Sequence, residues 1–418
     1  MHPKQKKVRN LRKLIPLGLF LLLVLGAGFL LYTKTKTLGS VVYISEKKEE
    51  EVKPVAKHLP VPVPLKAIYM SQCVVGTPTF RESLVKFIDE TDLNAVVIDI
   101  KDYTGSISFP TIDPMFAAAS LKACGARDMK EFLATLHDKG IYIIGRITVF
   151  QSPLQIKEHP EWAVRKKSDP EVAWKDYKGL SFIDAGAKPY WDYVVTLSKE
   201  SYEIGFDELN YDYVRYPSDG PMSEVNPIWS KGVSKEAMLE EFFGYLSERV
   251  RPMGAVMSAD LFGMTTTNFD DLNIGQVMER ALPHFDYIYP MVYPSHYPKS
   301  FLGLGNPNND PYKVVNYSMT EAVKRLLATS TRIAVIGYPM IASSSPAMYE
   351  KPVFDRNKLR PWLQDFDYGK DYTLEDIRAQ IKASEDAGLH SWLFWDPANK
   401  YLSLKQFLSE QTTIPEER

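Results

Sequence analysis

From Lys66 to about residue 410 the chain alternates short apolar runs with amphipathic helical patterns, eight times over. The runs are rich in β-branched and aromatic residues. They read KAIYMS (66 to 71), NAVVIDIKD (94 to 102), IYIIGRITVF (141 to 150), FDELNYDYV (206 to 214), GAVMSADLFG (254 to 263), FDYIYPMVYP (285 to 294), RIAVIGYPMI (332 to 341) and LHSWLFWDP (389 to 397). Between the early runs, TFRESLVKFIDET sets Phe80, Leu84, Phe87 and Ile88 at helical spacing, and MKEFLATLHDKG ends in Gly140, where a helix needs its C-cap. YWDYVVTLSKESYEIG, SKEAMLEEFFGYLSERV, NIGQVMERAL, YSMTEAVKRLLATS, TLEDIRAQIKASEDAG and SLKQFLSEQ supply the later helices. Eight strand-then-helix units are the pattern of a (β/α)8 TIM barrel. A doubly wound open sheet would want a glycine-rich phosphate loop after its first strand, and YMSQCVVGTPTF has no G-x-G-x-x-G.

The segment ahead of the barrel reads differently. Residues 1 to 13 carry six Lys and Arg and no acid, a basic cytoplasmic segment. LIPLGLFLLLVLGAGFLLY, residues 14 to 32, then runs uncharged for 19 positions, enough to cross a bilayer as a helix. With the basic flank first, the expected topology is a signal-anchor with the rest of the chain extracytoplasmic. A cleaved signal peptide is the competing reading, but GAGFLLYTKT offers only a poor small-x-small site. Residues 33 to 64, with EKKEEEVK and HLPVPVPLK, suit a semi-rigid stalk. The expected domain then spans 65 to 412.

The remainder of the chain has 44 basic against 52 acidic residues, which argues against nucleic acid as a partner. The two cysteines, Cys73 and Cys124, form no metal motif; they are either a disulfide or two free thiols. No cofactor or metal pattern is present: there is no H-E-x-x-H, and no G-x-S-x-G for a serine hydrolase.

Function in such a barrel sits at the C-terminal ends of the strands. The fourth run is the telling one. As a strand it sets Phe206, Glu208, Asn210 and Asp212 on one face and Leu209, Tyr211 and Tyr213 on the other. Buried carboxylates without partners cost several kcal/mol, so that face must look onto a site, water or counter-ions. Glycoside hydrolysis needs two carboxyl groups flanking the scissile bond. Asp212 and Asp260, ending neighbouring strands, are the first candidate pair, with Glu208 a deeper second choice. The structural alternative for each is an ion pair with Arg146, Arg215 or Lys101. Asp99, Lys101, Arg146, Asn210, Arg215, Tyr293, His296, Trp395 and Asp396 are candidate substrate contacts. Carboxylates mixed with aromatic rings suit sugar hydroxyls and the apolar faces of sugar rings. Asp99 and Lys101 could equally form an ion pair holding the barrel mouth, and tryptophans at a rim can simply be packing.

VVIDIKDYTG, GFDELNYDYVRYP, SADLFG, YIYPMVYPSHY and LFWDP together resemble a bacterial family described as glycoside hydrolases with an alpha-amylase-like TIM barrel, formerly a domain of unknown function. The resemblance covers nearly all of residues 66 to 410. It implies that Asp212, ending strand four, is the nucleophile. Amylase-like barrels place an acid/base glutamate at the end of strand five; this chain has Asp260 there. The expectation is a membrane-anchored glycoside hydrolase acting on a cell-surface or extracellular poly- or oligosaccharide. A non-catalytic glycan-binding scaffold and a transglycosidase are its rivals.

Overall fold

The computed structural model describes residues 56–413. Eight parallel strands close into a ring: β1 (Lys66–Met70), β2 (Ala95–Lys101), β3 (Tyr142–Thr148), β4 (Glu208–Asp212), β5 (Val256–Phe262), β6 (Tyr287–Met291), β7 (Trp362–Gln364) and β8 (Trp392–Trp395). Each is followed by a helix: α1 (Pro78–Asp89), α2 (Met129–Asp138), α3 (Lys188–Ile204), α4 (Lys235–Val250), α5 (Met278–Ala281), α6 (Pro311–Leu327), α7 (Leu374–Asp386) and α8 (Leu402–Thr413). The result is a (β/α)8 barrel. The alternation of side chains along the strands divides the core in two. Ile68, Val96, Ile98, Ile143, Leu209, Tyr211 and Met257 face the helices, while Ala67, Val97, Tyr142, Ile144 and Tyr289 fill the barrel. Gly140 and Gly205, just beyond α2 and α3, take positive φ (73° and 120°), which lets the chain turn sharply into the next strand.

Three local expectations change. The seventh strand is not RIAVIGYPMI. That run lies in an excursion closed by the two-residue pairing of Ser330–Thr331 with Tyr349–Glu350, and it leaves Ile336 and Met340 exposed. Gly337 and Pro339 interrupt it, and Pro lacks the N–H a ladder needs. The barrel's seventh place goes to Trp362–Gln364, directly after Pro361. NIGQVMERAL forms only the single turn of α5. In the fourth run, Phe206 precedes the strand and packs with the helix-facing core.

Residues 56 to 64 lie against the N-terminal end of the barrel. Leu59 and Val61 pack against the barrel interior, the Leu59 N–H donates to Asp207 Oδ1 at 2.8 Å, and the His58 ring stacks on Tyr202. Among the described residues no helix is long and apolar enough to cross a membrane. The stretch from 14 to 32 lies outside them. Cys73, in the helical turn Gln72–Val75 after β1, is disulfide-bonded to Cys124 in the loop after β2.

At the C-terminal end, the loops after β3 and β4 build a small lobe together. Arg165–Lys166 pairs antiparallel with Val225–Asn226 over a cluster of Val164, Trp174 and Phe182, against which Tyr213 packs.

Candidate active site

Register explains which side chains meet. Asp99 on β2 stands opposite Arg146 on β3, and Thr148 on β3 stands opposite Asp212 on β4. On the next seam Asn210 faces Ser258, which brings Asp260 to the level of Asp212. Arg146 is the hub. Its Nη1 donates to Asp99 Oδ1 at 2.7 Å and its Nε to Asp212 Oδ2 at 3.0 Å, with Nη2 on the same Asp212 oxygen. Asp260 Oδ2 lies 3.9 Å from that Nε. The guanidinium also sits over the Trp395 ring, which stacks in turn on Tyr69. Burial opposes the Arg146 charge, but Asp212 and Asp99 outweigh it and hold the guanidinium well above its usual pKa.

The two aspartates of the candidate pair have unequal surroundings. Asp212 takes the charge-assisted bonds of Arg146 on Oδ2 and the Tyr213 N–H on Oδ1 at 2.5 Å. Asp260 is only 1 % exposed; its Oδ1 accepts from Asn210 Nδ2 at 3.0 Å and from the Trp362 indole N–H at 2.9 Å. Burial and the nearby Asp212 charge push the Asp260 carboxyl well above the usual carboxylate range, only partly offset by Arg146 and these donors. One carboxyl is thus salt-bridged, while burial and that neighbouring charge favour the protonated form of the other.

Both open onto a cavity of about 420 Å³ at the C-terminal end of the barrel. Arg146, Arg215, Tyr293, His296 and Trp395 line it too, and so do Tyr213, Asp219, Phe262 and Met291. Tyr213 takes φ of 51°, an unfavourable region for a bulky residue. That turn swings its ring off the helix-facing side, where strand alternation would put it, and into the cavity wall. A hollow of about 450 Å³ between α1 and α2, lined by Arg81, Lys86 and Glu131, lies outside the barrel and away from these carboxyls.

The chain matches, over residues 67–401, the family described as "Putative glycosyl hydrolase domain". It belongs to that family. The glycosyl hydrolase domain so identified also resembles solved structures. The glycoside hydrolase domain of PgaB (BpsB) from Bordetella bronchiseptica aligns at 13% identity with a TM-score of 0.55, covering 83% of this chain and 99% of that one. Alpha-L-fucosidase isoenzyme 2 from Paenibacillus thiaminolyticus aligns at 11% and 0.53, covering 84% and 49%. A hypothetical protein from Ruminiclostridium thermocellum ATCC 27405 is 30% identical over 46% of this chain and 96% of its own, with a TM-score of 0.42. No curated protein sequence matches. Family and barrel place the chain among the glycoside hydrolases.

Several residues singled out in the sequence of this glycosyl hydrolase domain do not line the cavity. Glu208 is fully buried deeper in the barrel, where Oε2 accepts from Tyr142 at 3.1 Å and pairs with Arg360 at 3.2 Å, and the Tyr289 hydroxyl donates to Oε1. With all three donors engaged it is a core ion pair. Asp99 supports Arg146 and accepts from the Tyr69 hydroxyl; Asn210 supports Asp260. Asp99 pairs with Arg146 and not with Lys101, and the register shifts between the two residues. Lys101 instead donates to the Thr148 carbonyl, and burial lowers its pKa to about 7. Asp396 closes a turn, accepting from the N–H groups of Ala398, Lys400 and Tyr401. Trp362, by contrast, was invisible as a site residue because its strand was assigned elsewhere. The phrase RPWLQ, which ends eight residues before TLEDI, held the signal: it is the last short apolar run ahead of that helical pattern.

Proposed function

We propose that the domain hydrolyses a glycosidic bond in a bacterial cell-surface or extracellular poly- or oligosaccharide, with Asp212 as nucleophile and Asp260 as acid/base. The observation carrying this reading is the unequal setting of two neighbouring aspartates on a single cavity, Asp212 ion-paired to Arg146 and Asp260 buried with its pKa raised. Environments that push two carboxyls apart assign their roles. Asp260 gives its proton to the leaving oxygen while Asp212 bonds to the anomeric carbon. Asp260, now a carboxylate, then takes a proton from water, whose oxygen displaces Asp212. The negative charge leaves Asp212 and reappears on Asp260 in the first step. Arg146 Nε, 3.0 Å from one and 3.9 Å from the other, stays beside an anion throughout. Those distances hold the two Oδ2 atoms within about 7 Å of each other, which favours the roughly 5–5.5 Å separation of retaining enzymes over most of the wider inverting range.

For the setting, the uncharged stretch 14 to 32 and the Cys73–Cys124 disulfide both support a domain anchored in the membrane and working outside the cytoplasm. The test is reducing-end release by the full-length chain on a panel of bacterial surface polysaccharides, beside Asp212→Asn. The parent should release ends with retained anomeric configuration, and the variant should lose roughly a thousandfold or more. Release that survives the substitution sinks Asp212 as nucleophile. Glycan binding without release from any polymer moves the reading to a binding scaffold.

A further inference from the structure

A second cavity, about 360 Å³, adjoins the first and shares Tyr213, Arg215 and Asp219 with it. Its far wall comes from the loop after β3, with Gln151, Lys178 and Phe182, and from Tyr103 in the loop after β2. Two of its polar groups lack the partners their burial calls for. Gln151 is 4 % exposed, and its Oε1 is buried with no hydrogen-bond donor among the described residues. Arg215 is 8 % exposed and stands at the junction of the two cavities.

Among the described residues three other arginines are as deeply buried, and each has a carboxylate: Arg146 has Asp99 and Asp212, Arg325 has Glu279, and Arg360 has Glu208. Among the described residues Arg215 has none within 4.0 Å. Its Nη1 donates to the Tyr216 carbonyl, and its guanidinium lies among the rings of Tyr213, Phe262 and Phe182, with centroids at 4.7, 5.0 and 5.6 Å. Desolvation in that apolar collar lowers its pKa. A buried cation without its anion is costly, and a partly apolar surround strengthens its pull on any anion that arrives. The acids that attract it do not fill the role. Asp212 is already engaged by Arg146 through Oδ2, and Asp219 is exposed. A guanidinium offers a fork matched to carboxylate, sulfate or phosphate oxygens.

We propose that the second cavity is a subsite for an acidic sugar, whose oxyanion Arg215 receives and one of whose hydroxyls donates to Gln151 Oε1. Its place next to the bond that is cut rests on the cleavage site proposed above. The substrate is then an acidic polymer, with the charged unit adjoining the unit held at Asp212 and Asp260. The exposed Tyr103 ring offers a face for the sugar to lie on.

Binding tests this without turnover. Full-length Asp212→Asn protein is titrated with methyl glucuronide, methyl galacturonide, glucose 6-sulfate and glucose 6-phosphate, against methyl glucoside and methyl galactoside. At least one acidic sugar should bind about tenfold more tightly than its neutral counterpart, equivalent to about 1.4 kcal/mol; which one does so identifies the oxyanion. Arg215→Gln should bring its affinity down to the neutral level. Gln151→Glu, nearly isosteric, should repel it, which keeps the question open to test should Arg215→Gln fold poorly. No binding by any acidic sugar, equal binding of acidic and neutral sugars, or a preference that survives Arg215→Gln overturns the proposal. An acidic preference lost in Arg215→Gln, with no polymer cut by the parent, would leave the subsite standing and the glycosidase reading fallen.

Discussion

Two N–H donors engage Asp260 Oδ1, so in the proposed mechanism the proton belongs on Oδ2, which lies 3.9 Å from Arg146 Nε. The raised pKa of this carboxyl sets the sign of a pH effect. A general acid works only while protonated, so activity should fall as pH rises through the Asp260 pKa, and that fall forms the alkaline limb of kcat/KM. Asp260→Asn should cost about 10²–10⁴-fold on the substrate that the polysaccharide panel identifies. The loss should shrink strongly on the corresponding 2,4-dinitrophenyl glycoside, whose leaving group needs no proton. An equal loss on both substrates would remove Asp260 from the acid role. Trp362→Phe, which takes away one donor to Oδ1, should move the alkaline limb upward, because that hydrogen bond favours the ionised form.

Among the elements, the arm from residue 56 to 64 has the clearest measurable effect. It closes the barrel's N-terminal end with Leu59 and Val61 and ties to Asp207, which also accepts from the Ile143 N–H and lies against His137. A chain starting at residue 65 should be less stable than one starting at 56 by on the order of 2–3 kcal/mol, read as a lower denaturation midpoint. Equal midpoints would mean that the arm merely rests on the barrel. The elements also show where the sequence was legible. Seven of the barrel strands followed from β-branched runs ahead of helical patterns, because a strand buried on both faces has to be apolar along its length. The seventh did not, because three residues behind a proline carry too little pattern, and a longer apolar run nearby carried more. At the site, the polar face of β4 marked Asn210 and Asp212 correctly as inward-facing, since period-two alternation holds inside a strand. It could not tell that Glu208 would be sealed by Arg360, which lies two residues ahead of the strand that the sequence hid. Nor could it foresee the positive φ at Tyr213, which alternation does not encode.

For the whole molecule, the barrel holds the carboxyls while the loops set the shape of what enters. The strands bring Asp99, Arg146, Asp212 and Asp260 together, whereas both cavities take a wall from Tyr213 and the loop after β4, and the second takes another from the loop after β3. The ring of strands is unevenly joined. β2 and β3 pair over six residues, but β6 and β7 share only Trp362 opposite Met291, helped by an isolated bridge between Ile288 and Leu359. Trp362, the residue at this thinnest seam, is also the one whose indole holds Asp260. On warming, the seam should breathe before the rest of the ring, and the first casualty would be the alignment of Asp260, the proposed acid, while circular dichroism still reports a folded barrel. The enzyme would then have a working ceiling several degrees below its melting point, set by one ladder rung and reversible on cooling.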